Sequence, residues 1–267
     1  MADSGNGPAR PASPPGGVSA AFFDLDRTLM SGSSGFFWAR AAARAGMISR
    51  RRLALDAWEN IRFRLRGSTD ATTDRVMVRV GAMLEGKRVV DFDRLGPQVL
   101  AGVLPRLYPQ MLQIAWDHQD AGRPAYIVSA ASQETAAMIA HVLGFDGALG
   151  TPLERRDGRY TGRLAGPFAY RDGKPQLMQE LAAREGIDLA ESYAYSDSES
   201  DLPMLRAVGH PVAVNPDGAL ARVAREEGWD ILRFDRLGGH LKMLGGLTAA
   251  GLLGAVGRTA VRRAGPR

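Results

Sequence analysis

One stretch, an apolar run that ends in two carboxylates, constrains this chain more than any other. Residues 18–28 predict a buried strand from Val18 to Leu25, with Asp24 and Asp26 at its end. Alternate side chains of a strand share a face, so both carboxylates would point the same way if the strand continued. Buried like charges need a cation, a proton or hydrogen bonds. The stretch therefore predicts either a site for a hard cation such as Mg²⁺ or an Asp-rich turn in which Asp26 caps the next segment.

Strands and helices alternate in the second half of the chain. Strands are expected at residues 124–128, 192–195, 212–214 and 230–232. Helices are expected at residues 133–143, 174–184, 201–207 and 219–227. Residues 147–164 surround the turn signal Asp157-Gly158, which predicts a β-hairpin. The alternation predicts an α/β fold with a doubly wound, Rossmann-like parallel sheet, whose ligands bind at the carboxyl ends of the strands.

A long helical segment interrupts this pattern after the first strand. Residues 34–115 show helical periodicity without strand-like alternation. The segment is too long for an ordinary crossover, so it predicts an inserted α-helical cap. Its helices are expected from Phe36 to about Ala45, with Gly46 behind the first one, and at 53–65, 70–84, 92–107 and 111–121. The predicted organisation is a disordered arm at 1–17, a core at 18–33 and 116–238, the cap at 34–115, and a Gly-rich apolar and basic tail at 239–267.

Composition narrows the function classes. The chain carries 34 Lys and Arg against 29 Asp and Glu, a formal net charge of +5, without a nucleic-acid motif, so we expect no nucleic-acid partner. It has no cysteine, which excludes disulfides, Cys-ligated zinc and thiol catalysis and fits a cytoplasmic protein. The apolar residues 243–257 are fewer than the ~20 that span a bilayer. They predict either a peripheral contact with the membrane surface or a terminal segment that packs on the domain or is partly disordered.

Four polar motifs follow one another in an order that is more specific than any one of them. They are Asp24-Leu25-Asp26-Arg27-Thr28, then Ser129 after an apolar strand, then Lys174, then the acidic loop from Ser196 to Asp201. Each alone is common, because such residues also cap helices, lie on surfaces or form turns. Together they resemble the haloacid dehalogenase (HAD) superfamily of phosphatases. The Leu-Asp-Arg-Thr-Leu run and the helical insertion resemble the C1-capped subfamily IB, which includes phosphoserine phosphatases, over roughly residues 18–235.

The resemblance implies a Mg²⁺-dependent phosphatase that forms an aspartyl-phosphate. Asp24 would be the nucleophile, and Asp26 would act as general acid and then as general base. Mg²⁺ would be held by Asp24, the Asp26 backbone carbonyl and Asp197, and Asp201 would support that shell or orient Lys174.

The same resemblance implies the groups that hold the phosphoryl oxygens. These are Thr28, Ser129, Lys174 and the backbone amide of Ala130, which stands where many relatives have Gly. Apart from the resemblance, the guanidinium of Arg75 or Arg79 in the cap is expected to bind a substrate carboxylate or a second anionic group. The expected partner is a small phosphorylated metabolite, and the oligomeric state stays open.

One departure bears on the substrate. Phosphoserine phosphatases carry a carboxylate shortly after the first motif that binds the substrate ammonium, but residues 29–37 contain no acid here. We therefore expect a phosphomonoester other than phosphoserine to be the best substrate. Three alternatives stay open: a phosphoserine phosphatase of serine biosynthesis, a phospholipid-headgroup phosphatase at the membrane surface, and a non-catalytic binding protein on this fold.

Overall fold

The computed structural model describes residues 17–48 and 80–234. Its strands are β1 Ala21–Asp24, β2 Ala125–Ser132, β3 Gly147–Thr151, β4 Leu153–Arg156, β5 Arg159–Leu164, β6 Tyr193–Ser196, β7 His210–Val214 and β8 Asp230–Leu232. Its α-helices are Ser34–Arg44, Val89–Asp93, Gly96–Val103, Pro109–Asp120, Gln133–Leu143, Gly173–Glu185, Leu202–Arg206 and Gly218–Glu226. Short 3₁₀ turns lie at Leu104–Arg106, Leu189–Glu191 and Glu199–Asp201.

Six strands form one sheet in the order β3-β2-β1-β6-β7-β8. Strand β1 pairs in parallel with both β2 and β6, and the outer pairs β2–β3 and β6–β7 are parallel as well. The predicted doubly wound parallel sheet is thus confirmed. The strand order reverses between β1 and β6, and such a switch point opens a crevice at the carboxyl ends of the strands.

Strand β1 is buried on both faces, as its continuous apolar sequence requires. The ring of Phe22 stacks on Tyr126 with centroids 5.7 Å apart, and Phe23 stacks on Tyr195 at 4.5 Å on the other face. Both phenylalanine rings are buried in these stacks. The site at the end of β1 therefore stands on a rigid central strand.

A buried imidazole lies behind this aromatic layer. His118 Nε2 lies 2.8 Å from the Tyr195 hydroxyl, and Arg123 Nε donates to His118 Nδ1 at 2.8 Å. The imidazole accepts from Arg123 only while Nδ1 is unprotonated. Burial, with the Arg123 charge as a second cause, lowers the pKa of His118 to about 4.

This imidazole predicts a pH-dependent part of the stability. A histidine titrates near pH 6.5 when unfolded, so between pH 6.5 and 4 the unfolded chain binds the extra proton and is favoured. The free energy of unfolding of the wild type should therefore fall by about 2 kcal/mol more than that of His118→Gln between pH 7 and pH 5. Urea unfolding of both proteins at the two pH values measures this difference. An equal loss in the two proteins would contradict the assignment, since every other titrating group is shared.

The predicted β-hairpin is confirmed. Strands β4 and β5 are antiparallel, and Asp157 (φ 51°) and Gly158 (φ 71°) both adopt the left-handed conformation that a tight two-residue hairpin turn needs. The hairpin continues into backbone hydrogen bonds with the inserted segment, from Gly86 N to Tyr160 O and from Tyr160 N to Lys87 O, each 2.9 Å long. The hairpin thus packs on the insertion, although we had assigned its residues to the core.

Aromatic rings extend this packing. Phe92 of the insertion meets Tyr160 edge-on at 5.4 Å, and Trp38 stacks on Phe92 at 5.3 Å. The helix Ser34–Arg44, which holds Trp38, matches the predicted first cap helix, with Gly46 (φ 72°) just behind its end. The rings therefore join the two insertion helices Ser34–Arg44 and Val89–Asp93 to the hairpin in one apolar layer.

The elements differ from the predictions in two places. The expected helix 92–107 is broken into shorter pieces, because Pro97 and Pro105 lack the N–H that a continuous helix requires and each stands in the first turn of a new piece. Strand β2 runs on to Ser132 instead of ending at Val128, with a register shift after Val128.

Some predictions fall on residues outside the described part of the chain. They are the arm 1–16, the expected helix 53–65, most of the expected helix 70–84, and the tail 239–267. Of these helices, only residues 80–84 are described, and they are helical. Within the described ranges, no helix is both long and apolar enough to cross a bilayer.

Candidate active site

The sheet register brings three predicted motifs to one edge. Asp24 is the last residue of β1 and pairs with Val128, so Ser129 comes one residue later on the neighbouring strand. On the other side Phe23 pairs with Tyr195, which brings Ser196 beside the end of β1. Since Asp197 follows Ser196, the first, second and fourth motifs meet at the switch point of the sheet.

Lys174 joins two buried carboxylates. Its ammonium nitrogen lies 2.6 Å from Asp24 Oδ1 and 2.7 Å from Asp201 Oδ2. The lysine stands in the first turn of the helix Gly173–Glu185, and its side chain is only 3% exposed. Ser196 Oγ donates to the same Asp201 oxygen at 2.6 Å, whereas Asp201 Oδ1 has no hydrogen-bond partner within the described residues. Asp201 therefore orients Lys174 towards Asp24, one of the two roles expected for it.

The protonation of this cluster depends on burial. Burial raises the pKa of Asp24 to about 8, even though the Lys174 charge acts in the opposite direction. For Lys174, burial alone would lower the pKa, but Asp201 and Asp24 outweigh it and raise the pKa above its ordinary value. Lys174 is therefore an ammonium, and Asp24 needs further positive charge to be fully ionised at neutral pH.

Asp197 is paired within the first motif. Arg27 lies 2.7 Å from Asp197 Oδ2, and Thr28 Oγ1 is 3.5 Å from Asp197 Oδ1. Arg27 adopts a left-handed backbone conformation (φ 66°), which is uncommon for a residue with a side chain. Burial raises the pKa of Asp197 to about 7, against the effect of Arg27. We did not predict this contact for Arg27, and the local signal was only a cation directly after the motif carboxylates Asp24 and Asp26.

Asp26 contacts the start of the inserted segment. Ser33 Oγ donates to Asp26 Oδ2 and the Ser34 backbone N–H donates to Asp26 Oδ1, both at 2.8 Å. Asp26 therefore caps the helix Ser34–Arg44, which was one of the two predicted roles for this side chain. Neither Ser33 nor Ser34 was among the predicted site residues.

The remaining predicted site residues are distributed as follows. Ser129 is buried, and its Oγ accepts the Ala131 N–H at 3.2 Å. The Ala130 carbonyl accepts from Thr151 Oγ1 at 2.9 Å, which holds the backbone of this loop. Arg79, expected to bind a second anionic group, lies outside the described residues.

The order of these motifs matches a known family. The haloacid dehalogenase-like hydrolase family matches residues 21–206, which is more than half of the chain. The chain belongs to the haloacid dehalogenase-like hydrolases. The resemblance drawn from the four motifs is therefore confirmed, together with the Rossmann-like HAD fold.

Named relatives agree on the reaction class. The chain is 36% identical to phosphoserine phosphatase SerB1 of Mycobacterium tuberculosis, over 92% of this chain and 81% of that protein. It is 30% identical to a histidinol-phosphatase of Neisseria meningitidis serogroup C, over 80% of this chain and 98% of that one. A crystal structure of a Bordetella pertussis protein of unknown function shares 31% identity, with a TM-score of 0.72 over 81% of this chain and 98% of that one. This HAD chain is a phosphoric monoester hydrolase.

The charge balance of this HAD site suits a divalent cation. It holds four aspartates and two cations, Lys174 and Arg27, so full ionisation of the aspartates would leave an excess of two negative charges for a cation to offset. Carboxylate and carbonyl oxygens are also the ligands that Mg²⁺ prefers. Within residues 17–48 and 80–234, no three acidic or histidine side chains converge as ligands of one ion. The expected ligands include only two such side chains, those of Asp24 and Asp197, because Asp26 would contribute its backbone carbonyl. The absence of a three-side-chain cluster therefore agrees with the expected metal site, and its oxygen ligands fit the metal.

Proposed function

We propose that this phosphatase hydrolyses a phosphomonoester of a small metabolite through an aspartyl-phosphate on Asp24. The observation that carries the proposal is the contact of Lys174 with Asp24 and Asp201 at the switch point of the sheet. It holds one carboxylate beside a fixed positive charge, where a phosphoryl group can be attacked and its charge offset.

The chemistry takes two steps. An Asp24 oxygen attacks phosphorus, the bond from phosphorus to the alcohol oxygen breaks, and Asp26 gives its proton to the leaving oxygen. Asp26 then takes a proton from water as the water oxygen attacks phosphorus. The bond from phosphorus to Asp24 breaks, which releases inorganic phosphate and restores both carboxyl groups.

The phosphoryl oxygens need donors and positive charge in both steps. Thr28, Ser129, Lys174 and the Ala130 amide would supply them. Mg²⁺, held by Asp24, the Asp26 carbonyl and Asp197, would neutralise negative charge on the phosphoryl group and keep Asp24 ionised. Asp197 would then exchange its contact with Arg27 for the metal.

The substrate is proposed to lack an ammonium group. Both named relatives act, by their names, on amine-bearing phosphates, but residues 29–37 hold no carboxylate to pair such a charge. The Ser33 hydroxyl, a polar group of this segment, is already bound to Asp26. Phosphoserine and phospholipid headgroups remain the alternatives, the second resting on residues 243–257, and a cytoplasmic location stays a prediction.

A substrate panel with Mg²⁺ and with chelator tests this function. A phosphomonoester without an ammonium, such as a sugar or glycerol phosphate, should show at least ~10-fold higher kcat/KM than phosphoserine, which corresponds to ~1.4 kcal/mol. Activity on every substrate should disappear in chelator and return with Mg²⁺. If phosphoserine or histidinol phosphate leads the panel, the substrate proposal is wrong. The next residues to mutate are then Asp70 and Asp74, two acids of the expected cap helix 70–84 that would replace the missing carboxylate.

A further inference from the structure

Both oxygens of the Asp26 carboxylate bind the start of one helix. Ser33 Oγ and Ser34 N each lie 2.8 Å from a different oxygen. Ser33 is the N-cap residue of the helix Ser34–Arg44, yet its side chain makes no capping hydrogen bond to that helix. Its hydroxyl is directed to Asp26 instead, so helix capping alone does not account for this serine.

The loop between the two residues is built to bring them together. Leu29 N and Met30 N both donate to Leu25 O, at 3.1 and 3.2 Å, so the chain turns back directly after the motif. Gly32 then adopts φ 97°, a conformation that residues with side chains rarely take. The turn and the glycine place the Ser33 hydroxyl beside Asp26 and not beside the backbone N–H groups of the helix that follows.

The two donors to the Asp26 carboxylate differ in kind. The backbone N–H of Ser34 is fixed by the chain and holds Asp26 Oδ1 in place. The Ser33 hydroxyl holds the other oxygen, Oδ2, and it is the contact that a side-chain substitution can remove.

We propose that Ser33 is a positioning residue, whose hydrogen bond fixes the orientation of the Asp26 carboxylate for proton transfer to the leaving oxygen. The inference rests on the proposed function, in which Asp26 protonates the leaving group. It gives the residue just before the insertion a part in proton transfer, without any contact between Ser33 and phosphate.

Leaving-group dependence tests the inference. Glycerol phosphate leaves as an alkoxide that needs a proton, whereas the anion of p-nitrophenyl phosphate leaves with little help. Ser33→Ala should lower kcat/KM for glycerol phosphate at least ~10-fold more than for p-nitrophenyl phosphate. We use kcat/KM because it reports the steps up to the phosphoenzyme. Ser33→Thr, which keeps the hydroxyl, should stay within ~3-fold of the wild type on both substrates.

Ser31→Ala is the matched control. Ser31 lies in the same loop, but its hydroxyl is exposed and faces the Arg106 carbonyl at 3.4 Å, so both rates should match the wild type. If Ser33→Ala does not fold, Ser33→Cys carries the same test, because a thiol is a weak donor of similar shape. An equal effect on the two substrates, or none, overturns the inference. The proposed function fails by a different result, which is turnover by Asp24→Asn in the same assay.

Discussion

Asp24→Asn is expected to abolish hydrolysis, with kcat/KM at least ~1,000-fold below the wild type. The amide has no oxygen nucleophilic enough to attack phosphorus, so no aspartyl-phosphate can form. Its carbonyl still accepts a hydrogen bond from Lys174, which lies 2.6 Å from the native oxygen, and the substitution keeps the shape of a buried side chain. The fold should therefore persist while turnover stops.

Steady-state kinetics on the best substrate, together with circular dichroism and a thermal melt, measure this result. Asp120→Asn, at an exposed helix end, is the matched control and should retain wild-type rates. Retained turnover in folded Asp24→Asn protein would mean that another group attacks phosphorus.

Lys174→Met is the second large effect, and it reaches stability as well as activity. The substitution leaves Asp24 and Asp201 buried without the ammonium between them, and breaking a buried ion pair in this way costs about 3–5 kcal/mol. Hydrolysis should fall at least ~100-fold, because the charge beside the nucleophile is lost.

The pH dependence of that loss has a definite sign. Burial already raises the pKa of Asp24, and Lys174 opposes this, so the variant should raise the pKa further. When the pKa of a carboxyl group is higher in the folded protein than in the unfolded chain, the protein loses stability as the pH rises. The loss begins at the unfolded pKa, near 4, and ends at the folded pKa.

Urea unfolding tests this sign. Because the wild type stops losing stability above its Asp24 pKa of about 8 and the variant does not, the destabilisation of Lys174→Met should be larger at pH 9 than at pH 7. Lys87→Met, at an exposed position, should show neither effect. A loss of stability that is the same at both pH values would contradict the charge assignment.

Local sequence patterns were sufficient for the sheet and for the placing of the motifs along one of its edges. The apolar run before Asp24 and the Asp157-Gly158 turn are local signals, and both predict structure that the protein has. Motifs at the carboxyl ends of parallel strands lie along one edge of the sheet, which local patterns predict. The close approach of Asp24, Ser129 and Ser196 depends in addition on β1 lying between β2 and β6.

Contacts between distant elements were not predictable in that way. Arg27 contacts Asp197, 170 positions along the chain, and this contact depends on the pairing of β1 with β6. Ser33 was not predicted as a site residue, because nothing local shows that its hydroxyl binds Asp26. The hairpin likewise has a local turn signal, whereas its hydrogen bonds to Gly86 and Lys87 depend on how the insertion folds back.

The central claim is that phosphate passes through Asp24, and rapid quenching with labelled substrate tests it most directly. The wild-type protein, mixed with ³²P-labelled phosphomonoester and Mg²⁺ and quenched in acid, should carry one acid-stable, hydroxylamine-sensitive label per molecule. Peptide mapping should place that label on Asp24, and Asp24→Asn should carry none. A label on another residue, or hydrolysis with no labelled protein at any quench time, would contradict the account.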